Sequence, residues 1–117
     1  IKVEVVPAYN TNKSFHTKDK NWVGYVININ NKRIYHAGDT DVIPEMEKLT
    51  NIDIALVPVS GTYVMNAEEA AQAVKKIKPK IAIPMHYGAG VVGTEKDALE
   101  FKKLLEGVVE VEILKKT

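Results

Sequence analysis

The stretch from Ile52 to Met85 reads IDIALVPVSGTYVMNAEEAAQAVKKIKPKIAIPM, and its changes of rhythm decide the fold. Ile52 to Val59 is a nearly continuous apolar run, the pattern of a strand buried on both faces of a parallel sheet. Asn66, with Glu69 three residues on, makes a capping box, and Ala67, Ala70, Ala71, Val74 and Ile77 then follow the i, i+3, i+4 spacing of a helix with one apolar stripe. Lys80 to Met85 returns to an apolar strand. A strand-helix-strand unit of this length predicts two parallel strands joined by a right-handed crossover, hence an α/β fold.

Working outward, Val23 to Ile29 and Arg33 to Ala37 are β-branched and aromatic runs around Asn30-Asn31-Lys32, a separation that suits a hairpin turn tolerating positive φ. Ile1 to Val6 reads as a further strand, and Pro7 leads into a polar loop from Asn10 to Asn21. Gly38-Asp39-Thr40-Asp41 ends the second hairpin strand, and Pro44 to Leu49 can form one or two helical turns. Downstream, Thr94 and Asp97 cap a second helix through Leu105, with Ala98, Phe101 and Leu105 inward and Gly107 as its stop. Val109 to Leu114 alternates apolar and charged residues and reads as a strand with one solvated face. The expected order is a β-hairpin followed by strand-helix-strand-helix-strand, with no repeat and no linker. Because the chain opens at Ile1 inside a strand, without an initiator Met, residues 1–117 are expected to form one partial domain of something longer.

Composition narrows the function. Lys and Arg number 16 against 15 Asp and Glu in the 117 residues, so a net charge of +1 gives no electrostatic case for nucleic acid. The absence of cysteine removes disulfides, thiolate ligands and Cys nucleophiles together and makes the reducing cytoplasm the expected compartment. No apolar run approaches the roughly 18 residues of a membrane span.

The chemistry-bearing residues lie at strand ends, where catalytic groups of α/β sheets gather. His36-Ala37-Gly38-Asp39 and Pro84-Met85-His86-Tyr87-Gly88 would converge if their strands lay in facing sheets. A neutral imidazole with a carboxylate suits zinc, manganese or iron. The chain has no H-x-H or H-E-x-x-H spacing, and the residue types alone favour Asp39 as a turn or capping residue and His86 as a hydrogen-bonded strand-end histidine over metal ligands. Gly88-Ala89-Gly90-Val91-Val92-Gly93 matches the dinucleotide fingerprint G-x-G-x-x-G. Thr94 as N-cap would leave Gly93 outside the helix, however, and Glu95 and Asp97 would put carboxylates where a pyrophosphate should sit. Lys13, His16, Lys18 and Lys20 beside Phe15 and Trp22 could attract an anionic substrate or form a solvated loop. Ser60 shows no local sign of being a nucleophile.

Four ordered motifs carry a resemblance: Arg33-Ile34-Tyr35-His36-Ala37-Gly38-Asp39-Thr40, Ile52 to Val59, Gly61-Thr62-Tyr63-Val64-Met65 before the Glu68-Glu69-Ala70 helix, and Ile83-Pro84-Met85-His86-Tyr87. Together they resemble the C-terminal half of a metallo-β-lactamase superfamily hydrolase, in the lactonase-like Zn-dependent branch. The resemblance implies an αββα sandwich, one or two ions of Zn²⁺, Mn²⁺ or Fe²⁺ in the intact protein, and a metal-bound hydroxide attacking an ester, lactone or phosphoester. Asp39 matches the family's metal-bridging aspartate and His86 its last histidine ligand, whereas His36 matches no ligand. Asn10 stands where a histidine ligand usually does, so either that metal site is weakened, or His16 replaces the ligand from the loop, or one metal suffices. His16 is a candidate catalytic, substrate or metal residue, and Asn10 and Tyr87 are candidates for holding substrate. The family's H-x-H-x-D-H cluster is absent from these residues, so the implied partners are a small-molecule substrate and an N-terminal half or second subunit that completes the site. The rival readings are a non-catalytic half-domain that pairs with another chain or with itself, and a nucleotide-binding module through Gly88 to Gly93.

Overall fold

The computed structural model describes residues 1–9, 23–61, 65–86 and 94–114. Strands β1 (Lys2–Pro7), β2 (Val23–Ile29) and β3 (Lys32–His36) are followed by a 3₁₀ turn (Pro44–Lys48), β4 (Ile54–Pro58), helix α1 (Ala67–Ile77), β5 (Ile81–Met85), helix α2 (Glu95–Leu104) and β6 (Glu110–Val111). They form one mixed sheet in the order β1-β2-β3-β4-β5-β6. β1, β2 and β3 are antiparallel neighbours, and β3, β4, β5 and β6 run parallel.

Local chemistry explains most boundaries. The hairpin turns on Asn30 and Asn31 at φ 49° and 62°, the doubly left-handed geometry that asparagine tolerates in a tight two-residue turn. The α1 capping box is made in full: Asn66 accepts from the Glu69 N–H at 2.8 Å, and Glu69 accepts from the Asn66 N–H at 3.0 Å. Asp53 ties the starts of three strands together, accepting from the Arg33 N–H at 2.8 Å and facing Lys80 Nζ at 3.1 Å. Prolines are unusual in central strands because they cannot donate to the ladder. Pro58 lies beyond the last β3–β4 pair and Pro84 beyond the last β5–β6 pair, on the sides where those neighbours have ended.

The two faces of the sheet differ. In register, Val26, Tyr35, Ala55, Ala82 and Val111 form a buried row, and with Val57, Val59, Val74, Ile77, Phe101 and Leu105 they make the core beneath the helices. The opposite face carries the row Val5, Tyr25, His36, Leu56, Ile83 and the row Val3, Ile27, Ile34, Ile54, Ile81. Val5 is 63% and Tyr25 42% exposed, and no described element covers this largely apolar face.

The last strand is shorter than its alternation suggests. Among the described residues Glu110 and Val111 alone pair with β5, and Glu112 adds one bond to the Ala82 carbonyl. An edge strand whose partner's ladder ends at Pro84 has few further hydrogen bonds to gain there.

Candidate functional site

β3, β4 and β5 are parallel, so the residues that follow them emerge at one edge: Asp39 after β3, Ser60 after β4 and His86 after β5. The His86 and Asp39 side chains approach to 3.9 Å between Nε2 and Oδ1, both partly exposed. The other ring nitrogen, Nδ1, lies 3.0 Å from Ser60 Oγ. The convergence of Asp39 and His86 is therefore real, but facing sheets do not produce it. Both follow strands of one sheet, about 10 Å apart across β4 at ordinary strand spacing, and the connections lean over the end of β4.

Two backbone features shape the turns out of these strands. Gly38 has φ +70°, and a Cβ there would stand 2.9 Å from the Val23 carbonyl oxygen, so only glycine lets the β3 exit turn this tightly against β2. His86 has φ 66°, a left-handed conformation that costs a non-glycine residue about 1–2 kcal/mol. Strain of this kind persists where surroundings enforce it, and it is concentrated at functional sites.

The loop bearing Asp39 is fixed from behind. Thr40 is fully buried; its Oγ1 accepts the Tyr9 N–H at 3.0 Å and has the Tyr9 and Asp41 carbonyls at 3.1 and 2.9 Å as acceptors for its one proton. The Asp41 N–H donates to the Tyr9 carbonyl at 2.9 Å, and the Met65 N–H to the Thr40 carbonyl at 3.3 Å. The Tyr9 hydroxyl donates to Glu45 Oε1 at 2.7 Å, and its pKa is pushed up to about 12, first by burial and then by that carboxylate. Asp41, in the run that ends β3, is 1% exposed and belongs to this buried layer. His36 stays exposed on the open face, its Nδ1 accepting the Gly38 N–H at 3.3 Å.

Asn10, His16, Tyr87 and the Gly88 to Gly93 run lie outside the described residues. The described chain stops at Tyr9 and resumes at Val23, both at the edge that carries Asp39 and His86, because Pro7 pairs with Val23. Thr94 is the N-cap of α2, and Glu95 and Asp97 occupy its first turn, as the spacing predicts. Ser60, Thr40 and Asp41 are the site residues that sequence reasoning missed. Ser60 carried a usable signal, since it follows an apolar strand at its carboxyl end just as His86 does.

The donor set suits a divalent metal ion. Asp39 offers an anionic oxygen and His86 an imidazole nitrogen, and 3.9 Å is within the span of two ligand bonds of about 2.1 Å each. Among the described residues no group of three or more His, Cys, Asp or Glu that could hold a metal ion comes together.

Comparisons with known proteins agree with this fold. The family model described as "Beta-lactamase superfamily domain" matches residues 1–86. A UPF0173 metal-dependent hydrolase of Thermococcus onnurineus is 41% identical over 98% of this chain and 53% of its own length. A crystal structure of a Parabacteroides distasonis protein superposes with a TM-score of 0.81 at 37% identity, over 98% of this chain and 51% of that one. A Thermotoga maritima protein of the metallo-beta-lactamase superfamily shares the fold at 24% identity, with a TM-score of 0.70 over 95% of this chain and 63% of its own. The chain belongs to the metallo-β-lactamase superfamily. It spans about half the length of the curated relatives it matches.

Proposed function

We propose that this chain contributes the Asp39 and His86 side of the metal centre in a hydrolase that cleaves an ester, lactone or phosphoester, in the lactonase-like branch of the superfamily. The observation that carries the reading is the approach of Asp39 Oδ1 and His86 Nε2 to 3.9 Å at a sheet edge held in place by Gly38, Thr40 and a strained His86 backbone. A divalent ion bound there, zinc, manganese or iron, supplies a polarised scissile oxygen and a water acidified toward neutrality. Asp39 brings the negative charge that offsets the cation, and His86 brings a neutral donor. His16 and Asn10 are assigned to catalysis and substrate binding, because their segment leaves and rejoins the described chain at this edge. Tyr87 is assigned to substrate binding as the residue after His86. The remaining ligands come from a partner segment, the N-terminal half of the same fold or a second subunit, and the apolar sheet face is where that segment packs. The cysteine-free sequence suits the reducing cytoplasm, and no described helix is long and apolar enough to cross a membrane.

The test is hydrolysis of a panel of lactones, aryl esters and phosphodiesters by the full-length protein with added Zn²⁺ or Mn²⁺. Asp39→Ala and His86→Ala should each abolish metal-dependent turnover while leaving the circular dichroism spectrum unchanged, and His16→Gln should lower it at least about tenfold, the usual scale for losing a positioned acid, base or binding group. Wild-type turnover by Asp39→Ala or His86→Ala would overturn the assignment.

The open apolar face favours one second reading, a pairing module without chemistry of its own. On that reading the 117-residue chain dimerises and no substrate of the panel is turned over. A monomer in sedimentation with no binding of an apolar dye would count against any pairing through this face.

A further inference from the structure

We infer that Ser60 is a positioning residue for His86, holding the imidazole as the Nδ1–H tautomer so that Nε2 turns a lone pair toward Asp39. The inference rests on the reading of His86 as a metal ligand. A neutral imidazole has one donor and one acceptor nitrogen, and the partner of one decides the role of the other. Nε2 lies on the Asp39 side, where a ligand atom must be unprotonated, so the ring proton belongs on Nδ1. Ser60 Oγ, 3.0 Å from Nδ1, is the acceptor in place for it. Free histidine favours the opposite tautomer, with the proton on Nε2, so a protein that uses Nε2 as a ligand gains from an acceptor built beside Nδ1.

The backbone holds Ser60 in register with His86. The residue before each is joined to the other by the Val59 N–H to Met85 carbonyl bond of 3.2 Å. On its other side Ser60 forms an isolated antiparallel bridge with Asn66, and the Gly61 N–H donates to the Met65 carbonyl at 3.0 Å. The serine is therefore pinned between β4 and the start of α1, and the left-handed backbone of His86 brings the ring to it. Hydrogen-bond partners of this kind behind a ligand histidine typically tune metal affinity 10–100-fold.

The test uses the full-length protein, stripped of metal and titrated with zinc against a chromophoric chelator at fixed pH. Ser60→Ala should weaken zinc binding roughly 10–100-fold, Ser60→Thr, which keeps the hydroxyl, should restore most of it, and Ser60→Ala should add no further loss in a His86→Ala background. Long-range ¹H–¹⁵N correlation spectra of the zinc-loaded wild type should show His86 protonated at Nδ1, and the metal-free Ser60→Ala protein should shift its His86 population toward the Nε2–H tautomer. Wild-type zinc affinity in Ser60→Ala beside a clear loss in His86→Ala would overturn the role of Ser60 alone. Undiminished affinity in His86→Ala would overturn the ligand reading, and this inference with it.

Discussion

Replacing Thr40 by valine keeps the shape of a fully buried side chain and removes its oxygen. The Tyr9 N–H, which donates to Oγ1 at 3.0 Å in a buried setting, then has no acceptor there. An orphaned buried donor costs about 1–3 kcal/mol. The Tyr9 carbonyl keeps the Asp41 N–H at 2.9 Å, while the Thr40 hydroxyl is lost as a donor to the Tyr9 and Asp41 carbonyls. The methyl that replaces the hydroxyl returns at most about 0.8 kcal/mol of apolar burial. The net expectation is about 2 kcal/mol of destabilisation. Thr40→Ser keeps the oxygen and loses a methyl group, for about 1 kcal/mol. Urea unfolding followed by circular dichroism, with linear extrapolation, resolves a difference of this size. A Thr40→Val protein as stable as Thr40→Ser would refute the reasoning, because it would show that losing the hydroxyl costs no more than losing the methyl in the layer behind Asp39.

Two glycines separate steric cost from backbone strain: a Cβ at Gly24 would meet the His36 and Ala37 carbonyl oxygens at 2.6 and 2.8 Å, whereas Gly107 has φ +76° and nothing within 4 Å. Gly24→Ala should cost about 1–3 kcal/mol by overpacking and disturb the Asp39 loop, while Gly107→Asn should be nearly neutral in the same unfolding assay, asparagine tolerating left-handed φ. Phe101→Ala, emptying a fully buried site under α2, should cost about 3–5 kcal/mol. The carboxyl of Asp53 is held below its usual range by the Arg33 N–H and then Lys80, so it adds stability that is present above the ordinary aspartate value and lost as pH falls through the lowered one. Acid unfolding of Asp53→Asn should accordingly lack that component. Tyr9 is shifted the other way, from 10.0 to about 12, so its contribution is full below pH 10 and is lost as pH rises toward 12; Tyr9→Phe should remove this alkaline slope, read from denaturant midpoints at pH 9 and pH 12.

The helices and the parallel strands were legible because their signals are local. Asn66 and Glu69 announce the start of α1 by chemistry three residues apart, and Asn30-Asn31 announce a turn that the backbone then makes. The alternation from Val109 to Leu114 is longer than β6 because alternation records only which side of a segment faces water, while the length of a ladder depends on the neighbour, and β5 carries a proline where pairing stops. Asp39 and His86 were legible as strand-end residues, yet their route to each other was not. Nothing in periodicity says that the residues after β3 and after β5 meet across β4, since this depends on a left-handed backbone at His86. The Thr40 and Asp41 layer was hidden for a similar reason: a Gly-Asp-Thr-Asp run reads as a polar turn, and its burial follows from the Tyr9 backbone 31 residues earlier in the chain. Ser60 looked inert because its partner, His86, is 26 residues away.

The most direct test of the account is the metal content of the purified full-length protein by elemental mass spectrometry, beside Asp39→Ala and His86→Ala. Zinc, manganese or iron near stoichiometry in the wild type, and a sharp loss in both variants, is the predicted result. Metal retained undiminished in both variants would contradict the claim that this sheet edge holds the ion.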